Sequence, residues 1–522
     1  MTLGAANVVL GVDIGTSACK AVLVDDSGAV RGVESASYPL SMPRENWSEQ
    51  NPHDWVAGAR RAVAGLMRGA GRAEVSGIGL SGQMHGLTAL DAGHRVLRPA
   101  ILWNDSRTTA ECEEITAAAG GLDGLLKLTN NPMLTGYTGG KILWMRNNEP
   151  ALYEKLAHAL NPKDYLRLAL TGEIATEVSD ASGTGLFDVA ARRWCRALLD
   201  KIGIDAAILP VCRESQTVSA QVSRSGAALF GLDAGIPVVG GGGDAVIQTL
   251  GSGVASPGAL QTTIGTAGIV ATPLAAPVEN PGGRLQIFCN LSPDSWHCMG
   301  VSLNAGGALS WLRALLAGAA SGGGAPGFDE LIAKAEQVPA GSDGLLFLPY
   351  LMGERCPWPN PDARGAFVGL HAGHDDRHLI RSLLEGVVFA LRDMHMLMAG
   401  IGISGAGEVT RVTASGGGSA ASLWNQIQAD VFETEVVTVR GAAEGGAYGA
   451  ALLAGVGAGF WSNLNEAAAV CAPLESWQPN AANAGRYRHL FALYRDLYPA
   501  LDPLFGRLQQ SPEAAGQGGD LD

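Results

Sequence analysis

The stretch Val12-Asp13-Ile14-Gly15-Thr16-Ser17-Ala18-Cys19-Lys20-Ala21-Val22-Leu23-Val24-Asp25 decides how this chain is read. The apolar run VVLGVD, residues 8–13, ends in a carboxylate. Gly15, Thr16 and Ser17 form a tight turn, and a second apolar run, 21–24, follows it. The pattern predicts strand, tight loop, strand, turn, strand. Glycine in such a turn lets backbone N–H groups approach phosphate oxygens closely. Thr16 and Ser17 add donors, and Lys20 adds a positive charge. Asp13 suits a metal beside the phosphates better than the phosphates alone, because two anions repel. The plainer reading is an ordinary β-hairpin turn.

The unit is echoed later. Ile264-Gly265-Thr266-Ala267 repeats Ile14-Gly15-Thr16-Ser17, again between two apolar runs. Gly265-Thr266-Ala267-Gly268 is therefore a candidate second phosphate turn, and the two echoes open two halves. The strand Pro237-Val238-Val239 runs into Gly240-Gly241-Gly242-Gly243-Asp244. A carboxylate carried there on bare backbone suits a general base. An N-cap for the following helix is an equally good local reading. Ser415-Gly416-Gly417-Gly418-Ser419 is a third glycine turn, between a strand at 409–413 and a helix at 419–431. It is neither G-x-G-x-x-G nor a Walker loop. Gln83-Met84-His85-Gly86 and Trp103-Asn104-Asp105 combine an indole face with directional polar groups, which suits a polyhydroxy ligand.

The remaining pattern predicts helices over 52–70, 108–118, 139–148, 304–318, 376–399 and 484–507. Lys163-Asp164-Tyr165 reads as a turn before another helix. Segment 321–327 reads as a flexible loop and 511–522 as a disordered tail. Gly445 to Asn465 carries no charge, but its glycines and asparagines fit a buried helix better than a membrane span. His371, His374 and His378 read as a solvated helix start rather than a metal site, and Met394, Met396 and Met398 as packing residues.

Composition narrows the function classes. Hydrophobic residues make up 47% and charged residues 16%, enough for large cores and too apolar for disorder. A net charge of −14 argues against nucleic acid as a partner. The eight cysteines include no C-x-x-C pair, so free thiols in a reducing cytoplasm are expected. Neither a signal peptide nor a membrane partner is expected. The expected division is 1–254, 255–508 and a tail at 509–522, with the main boundary near 253–257.

Ten stretches stand in order along the chain: VDIGTSACKAVLVD (12–25), WSEQNPHDW (47–55), GLSGQMHG (79–86), RPAILWNDSR (98–107), PKDYLRLALTGE (162–173), GGGDA (241–245), IGTAG (264–268), FLPYLMGERCPWPNPDARGAFVGL (347–370), GGGSAASLWNQIQADVF (416–432) and EGGAYGAALLAG (444–455). Each alone is unspecific. The ordered set resembles the FGGY carbohydrate kinases, of the actin-like ATPase superfamily, over about residues 1–508. The resemblance implies an α/β fold of two actin-like (ribonuclease H-like) domains, with a catalytic cleft between them that closes on substrate. The N-terminal one would hold the sugar, the first phosphate loop and the catalytic Asp, and the C-terminal one the ATP. It implies ATP and Mg2+ as cofactors. Asp244 would be the general base, and Asp13 would lie near the metal, reaching it through water. Met84, His85, Trp103 and Asp105 would bind the sugar. Thr16, Ser17, Gly265, Thr266, Gly306, Gly417 and Gly418 would contact ATP. The pairing of QMHG with WND points to members that phosphorylate D-xylulose to D-xylulose 5-phosphate. Many of those carry Asn after the catalytic Asp, where this chain has Ala245. Ribulose, ribitol or another polyol is the alternative acceptor, and a non-kinase actin-like ATPase the alternative class. A homodimer is among the expectations.

Overall fold

Strand β1 (Asn7–Ile14) pairs antiparallel with β2 (Ala18–Asp25), which pairs antiparallel with β3 (Val30–Ser37). In this computed structural model, residues 7–69, 73–319, 325–401 and 409–509 are described. The tail expected over 511–522 and most of the loop expected over 321–327 lie outside them. On its other side β1 pairs in parallel with β4 (Glu74–Gly82). With β5 (Val218–Gln221) and β6 (Pro237–Val239) the sheet runs in the order β5-β6-β4-β1-β2-β3.

Both faces of β1 are covered, so it reads as an almost unbroken apolar run. Alternation puts Val8, Leu10, Val12 and Ile14 on one face, in a core with Trp55, Ala59, Val63 and Leu66 of the helix Pro52–Gly69. Gly11 and Asp13 lie on the other face, against the helix Gly445–Gly457. That helix is buried from Gly446 to Gly455, as a helix apolar all round must be. It is a core helix, and the uncharged run breaks after it before a second helix, Leu464–Ala469. Among the described residues no helix is long and apolar enough to cross a membrane.

The chain divides into two compact units. The first comprises Met1–Pro257, Pro273–Cys298 and Val439–Ala472, and the second Gly258–Thr272, Met299–Thr438 and Pro473–Asp522. The second is built on β7 (Ala259–Ile264), β8 (Gly268–Leu274), β9 (Trp296–Ser302), β10 (Arg411–Ser415), β11 (Val436–Val439) and β12 (Pro473–Trp477). Their order is β9-β8-β7-β10-β11-β12. β7 pairs antiparallel with β8 and parallel with β10, as β1 does with β2 and β4. The turns differ by one residue: Gly15 N donates to Ala18 O with Ile14 paired to Cys19, whereas Gly265 N donates to Ala267 O with Ile264 paired to Gly268.

The helix Asp376–Gly400 is the long apolar one expected here. It starts with a capping box in which Asp375 and His378 bond each other's backbone N–H groups. The three histidines thus form a helix start, and no group of three or more metal-ligating side chains occurs among the described residues. Met394 and Met398 are buried in this helix, whereas Met396 is partly exposed. All eight cysteines are free, and all but Cys212 are buried. Lys163, Asp164 and Tyr165 do not form a turn. They occupy the first turn of the helix Pro162–Thr171, where Pro162 is the favoured opening residue.

A methyl group added at Gly79 of β4 would sit 1.9 Å from Ala450 O. Gly79→Ala is therefore expected to destabilise the fold by about 1–3 kcal/mol or more in urea unfolding. Gly485, on the helix Ala481–Gln509, has nothing within 4 Å of that position. Gly485→Ala should be neutral or stabilising by roughly 0.5–1 kcal/mol, because alanine loses less entropy in a helix.

Candidate active site

Strand register brings the two acidic residues together. Asp13 pairs with Ser81 and Ile14 with Gly82 across β1 and β4. On the other side of β4, Gly242 pairs with Ser81 and Gly243 with Gly82. Asp244 therefore leaves the sheet one residue beyond the row that holds Ile14. Asp13 accepts a hydrogen bond from Ser81 Oγ at 2.7 Å. Behind it runs bare backbone: a methyl group at Gly446 would sit 2.9 Å from Asp13 Oδ1.

Asp244 is the first residue of the helix Asp244–Gly251, and Gly243 holds the N-cap position. The capping reading thus places the carboxylate one residue too early. Instead it accepts from Ala245 N at 2.8 Å and from the backbone N–H of Met84. Burial, with the charge of Asp13 as second cause, pushes its pKa up to about 7. Burial likewise raises Asp13, while Ser81 and Lys20 pull it down. Lys20 does not point freely into the turn; it bonds Ala443 O at 3.0 Å and Glu444 at 3.2 Å.

The QMHG motif wraps this carboxylate. The buried Met84 presses on Gly243, where a methyl group would sit 2.6 Å from its Cγ. His85 adopts a left-handed backbone, φ 70°. Its Nδ1 lies 2.6 Å from Gly183 O, and a carbonyl only accepts, so this nitrogen carries the proton. The ring stacks on Tyr137 at 4.6 Å. Lys141 Nζ and Thr138 Oγ1 both donate to His85 O, at 2.7 and 3.0 Å. Lys141 also donates to Gly136 O, and burial lowers its pKa to about 7.

The WND motif splits. Trp103 is 44% exposed, and its Nε1 donates to Thr16 Oγ1 at 2.9 Å. Asp105 turns inward, 1% exposed. Both its oxygens are taken, by Ser48 N, by Arg107 N and by the Arg107 guanidinium. It fixes the turn that presents Trp103. Thr16 is held from below: Gln50 Nε2 donates to Thr16 O, while Gln50 Oε1 accepts from Trp55 and Gln83. The Ser17 side chain is exposed.

In the second unit, Gly265, Thr266, Gly306, Gly417 and Gly418 line one cavity of about 590 Å3, within the range of ligand pockets. Phe328, Ile332 and Trp424 give it apolar walls, and Asp329 and Glu336 add carboxylates. Gly306 N donates to Gly265 O, and a methyl group at Gly306 would sit 2.6 Å from that oxygen. The five residues singled out by the sequence motifs thus lie around one cavity. Lys141, Thr138, Ser81 and Gln50 were not among the candidates. Only Lys141 left a signal, as the one charge in the run Lys141-Ile142-Leu143-Trp144-Met145.

The donor chemistry fits magnesium. Asp13 is a hard oxygen donor with one side-chain hydrogen bond, from Ser81, and Mg2+ takes one or two carboxylates alongside phosphates. A set of three protein ligands is not required.

Known proteins resemble the chain over almost its whole length. The model for the N-terminal domain of the FGGY family of carbohydrate kinases matches residues 8–251, and that for the C-terminal domain matches 260–458. A xylulose kinase of Bacillus subtilis (strain 168) is 38% identical, over 94% of this chain and 96% of its own. A gluconokinase of the same organism is 32% identical, over 95% and 96%. The crystal structure of a xylulose kinase from Rhodospirillum rubrum superposes with a TM-score of 0.88 at 32% identity, over 96% of this chain and all of the other.

The raised pKa of Asp244 has a consequence for stability. A carboxyl raised in the fold stabilises it below the unfolded value near 3.8, and that contribution is lost as pH rises through about 7. Asp244→Asn removes this half-buried charge. It should stabilise the protein by roughly 1–4 kcal/mol at pH 8 and by little at pH 4, read from thermal melts at both.

Proposed function

Since this chain belongs to the FGGY family of carbohydrate kinases, we propose that its reaction is ATP-dependent phosphorylation of D-xylulose to D-xylulose 5-phosphate, with Asp244 as general base. The observation that carries this reading is the Asp244 carboxylate, held by the backbone N–H groups of Ala245 and Met84 beside the QMHG turn.

A sugar hydroxyl is a neutral nucleophile, so its proton must leave as the new P–O bond forms. Asp244 accepts that proton. A base near pH 7 is well matched, being ionised often enough and still basic enough to take a proton. The hydroxyl on carbon 5 is the acceptor in D-xylulose. Met84 offers an apolar wall, His85 a fixed imidazole and Trp103 an indole face to the sugar, while Asp105 acts through the Trp103 turn. Thr16 and Ser17 offer donors to phosphate oxygens in the first unit. Gly265, Thr266, Gly306, Gly417 and Gly418 give the nucleotide close access to backbone in the second. Bound with the nucleotide, magnesium supplies neutralisation of phosphate charge, and Asp13 would hold it, through water. Alignment and charge neutralisation account for the remaining acceleration. The cytoplasm, where ATP is at hand, is the compartment this chemistry calls for.

Ala245 favours a second reading of the acceptor. Its methyl cannot hydrogen-bond a sugar, so another pentulose, a polyol or an aldonate is the alternative. An ADP-release assay over D-xylulose, D-ribulose, ribitol and D-gluconate decides, and the highest kcat/KM should fall to D-xylulose. Asp244→Ala should lose about 10²–10⁴-fold in turnover while still binding D-xylulose by calorimetry. In the parent enzyme kcat/KM should fall about tenfold per pH unit below about 7. Near-parental turnover of Asp244→Ala would overturn the assignment of the base.

A further inference from the structure

A glycine loop has no side chains with which to hold itself. The loop that delivers Asp244 is such a case, and the backbone N–H groups of Gly240, Gly241 and Gly243 each reach a partner. Gly240 N donates to Thr217 O at 3.0 Å, and Gly241 N to Ser215 O at 3.1 Å. Gly243 N donates to Ser179 Oγ at 2.9 Å. Gly241 is left-handed, φ 89°, and a methyl group there would sit 2.4 Å from Leu80 O.

The two serines converge on one carboxylate. Glu177 accepts from Ser179 Oγ, Ser179 N and Asp180 N, each at 2.8 Å, and from Ser215 Oγ. It is fully enclosed, as are Lys163, Asp164 and Asp180 beside it. Lys163 Nζ lies 2.6 Å from Asp164, 3.3 Å from Asp180 and 3.8 Å from Glu177. An enclosed carboxylate with four donors has one orientation, because losing any donor leaves a charge unsolvated. As N-cap of the short helix Val178–Ser182, Glu177 needs only the two backbone donors. Its bonds to the Ser179 and Ser215 hydroxyls go beyond capping, and they connect it to both ends of the Gly241–Gly243 loop.

We propose that Glu177 is a positioning residue for phosphoryl transfer, which through Ser179 and Ser215 holds the Gly241–Gly243 loop so that Asp244 is aimed at the acceptor hydroxyl. The inference rests on the reading of Asp244 as the base. A displaced base loses rate steeply, since catalysis by position is lost over distances of about 1 Å.

The test is a double-mutant cycle read by single-turnover phosphoryl transfer. Ser179→Ala removes the acceptor of Gly243 N–H and should lower kcat about tenfold, with the sugar KM within about twofold. Glu177→Gln should lose at least as much. Ser182→Ala, equally buried on the same helix and bonded to Val178 O and Cys289 N, should keep kcat within about twofold. In an Asp244→Asn background, Ser179→Ala should cost nothing further, because there is no base left to aim. An equal loss in both backgrounds marks a general structural effect and overturns the proposal. Parental kcat in Ser179→Ala overturns it too, and an inactive Asp244→Asn then leaves the base reading standing. Parental turnover in Asp244→Asn overturns both. Should Ser179→Ala not fold, Ser215→Ala, which removes the other hydroxyl on Glu177, carries the same cycle.

Discussion

One contact governs the geometry of the first unit: the helix Gly445–Gly457 lies against bare backbone on three sides. Methyl groups at Gly11 and Gly79 would sit 1.9 Å from its Ala447 and Ala450 carbonyls. A methyl group at its own Gly449 would sit 2.1 Å from Ile247 O, in the helix that begins at Asp244. The same helix therefore sets the height of β1, of β4 and of the helix that begins at Asp244. Each glycine costs roughly 0.5–1 kcal/mol of entropy in a regular element. Close contact along many atoms offsets that cost, since dispersion is individually tiny and collectively large. Asp13, Ser81 and Asp244 stand on these three elements, so their mutual distances follow from the glycine contacts.

Charge is handled in two opposite ways within this unit. Asp105 is buried and fully paired, with Arg107 and backbone donors on both oxygens. Glu177 is equally enclosed and equally satisfied. Asp244 and Asp13 are not compensated in this way. Each has few donors, and Asp13 raises Asp244. An ion pair that satisfied either carboxylate would remove its affinity for a proton or a cation. Asp13 and Asp244 are thus the carboxylates of this unit left poorly compensated, a pattern that clusters at functional sites, whereas Asp105 and Glu177 are fully satisfied.

Local pattern was legible wherever a motif is contained in a few residues. The hairpin of β1 and β2 follows from two apolar runs around a glycine turn, and the helix at 376–399 from its apolar stripe. The glycines that line the cavity of the second unit stood out in the sequence because close approach demands glycine whatever the partner. Long-range arrangement was not. Nothing in the run from Gly445 to Gly457 says that it returns to β1, over four hundred residues earlier, because small residues specify closeness and no partner. The burial of Asp105 was not legible, because its bond to Ser48 N depends on a loop 57 residues away. Lys163-Asp164-Tyr165 was read as a turn because charge suggested solvent, whereas the lysine is buried among carboxylates that lie near it only in the fold. Glu177 left no signal, since a carboxylate before Val-Ser-Asp reads as a solvated helix start.

The two hairpins show what one substitution does to a shared frame. Asp13 stands opposite Ser81 on the parallel neighbour of β1, and Thr263 stands opposite Ser415 on the parallel neighbour of β7. Both make the corresponding bond, Asp13 with Ser81 Oγ at 2.7 Å and Thr263 Oγ1 with Ser415 Oγ at 2.8 Å. Each is followed by Ile-Gly-Thr and a tight turn. Strand pairing and cross-strand bond are kept, while the second turn is one residue shorter and the residue before it carries no charge. A carboxylate at 263 would add a negative charge beside Ser415, whereas a threonine at 13 would keep the bond to Ser81 but lose the charge that raises Asp244. The frame is therefore neutral to chemistry. The residue just before Ile-Gly-Thr, Asp13 in one unit and Thr263 in the other, is where the two turns part in charge.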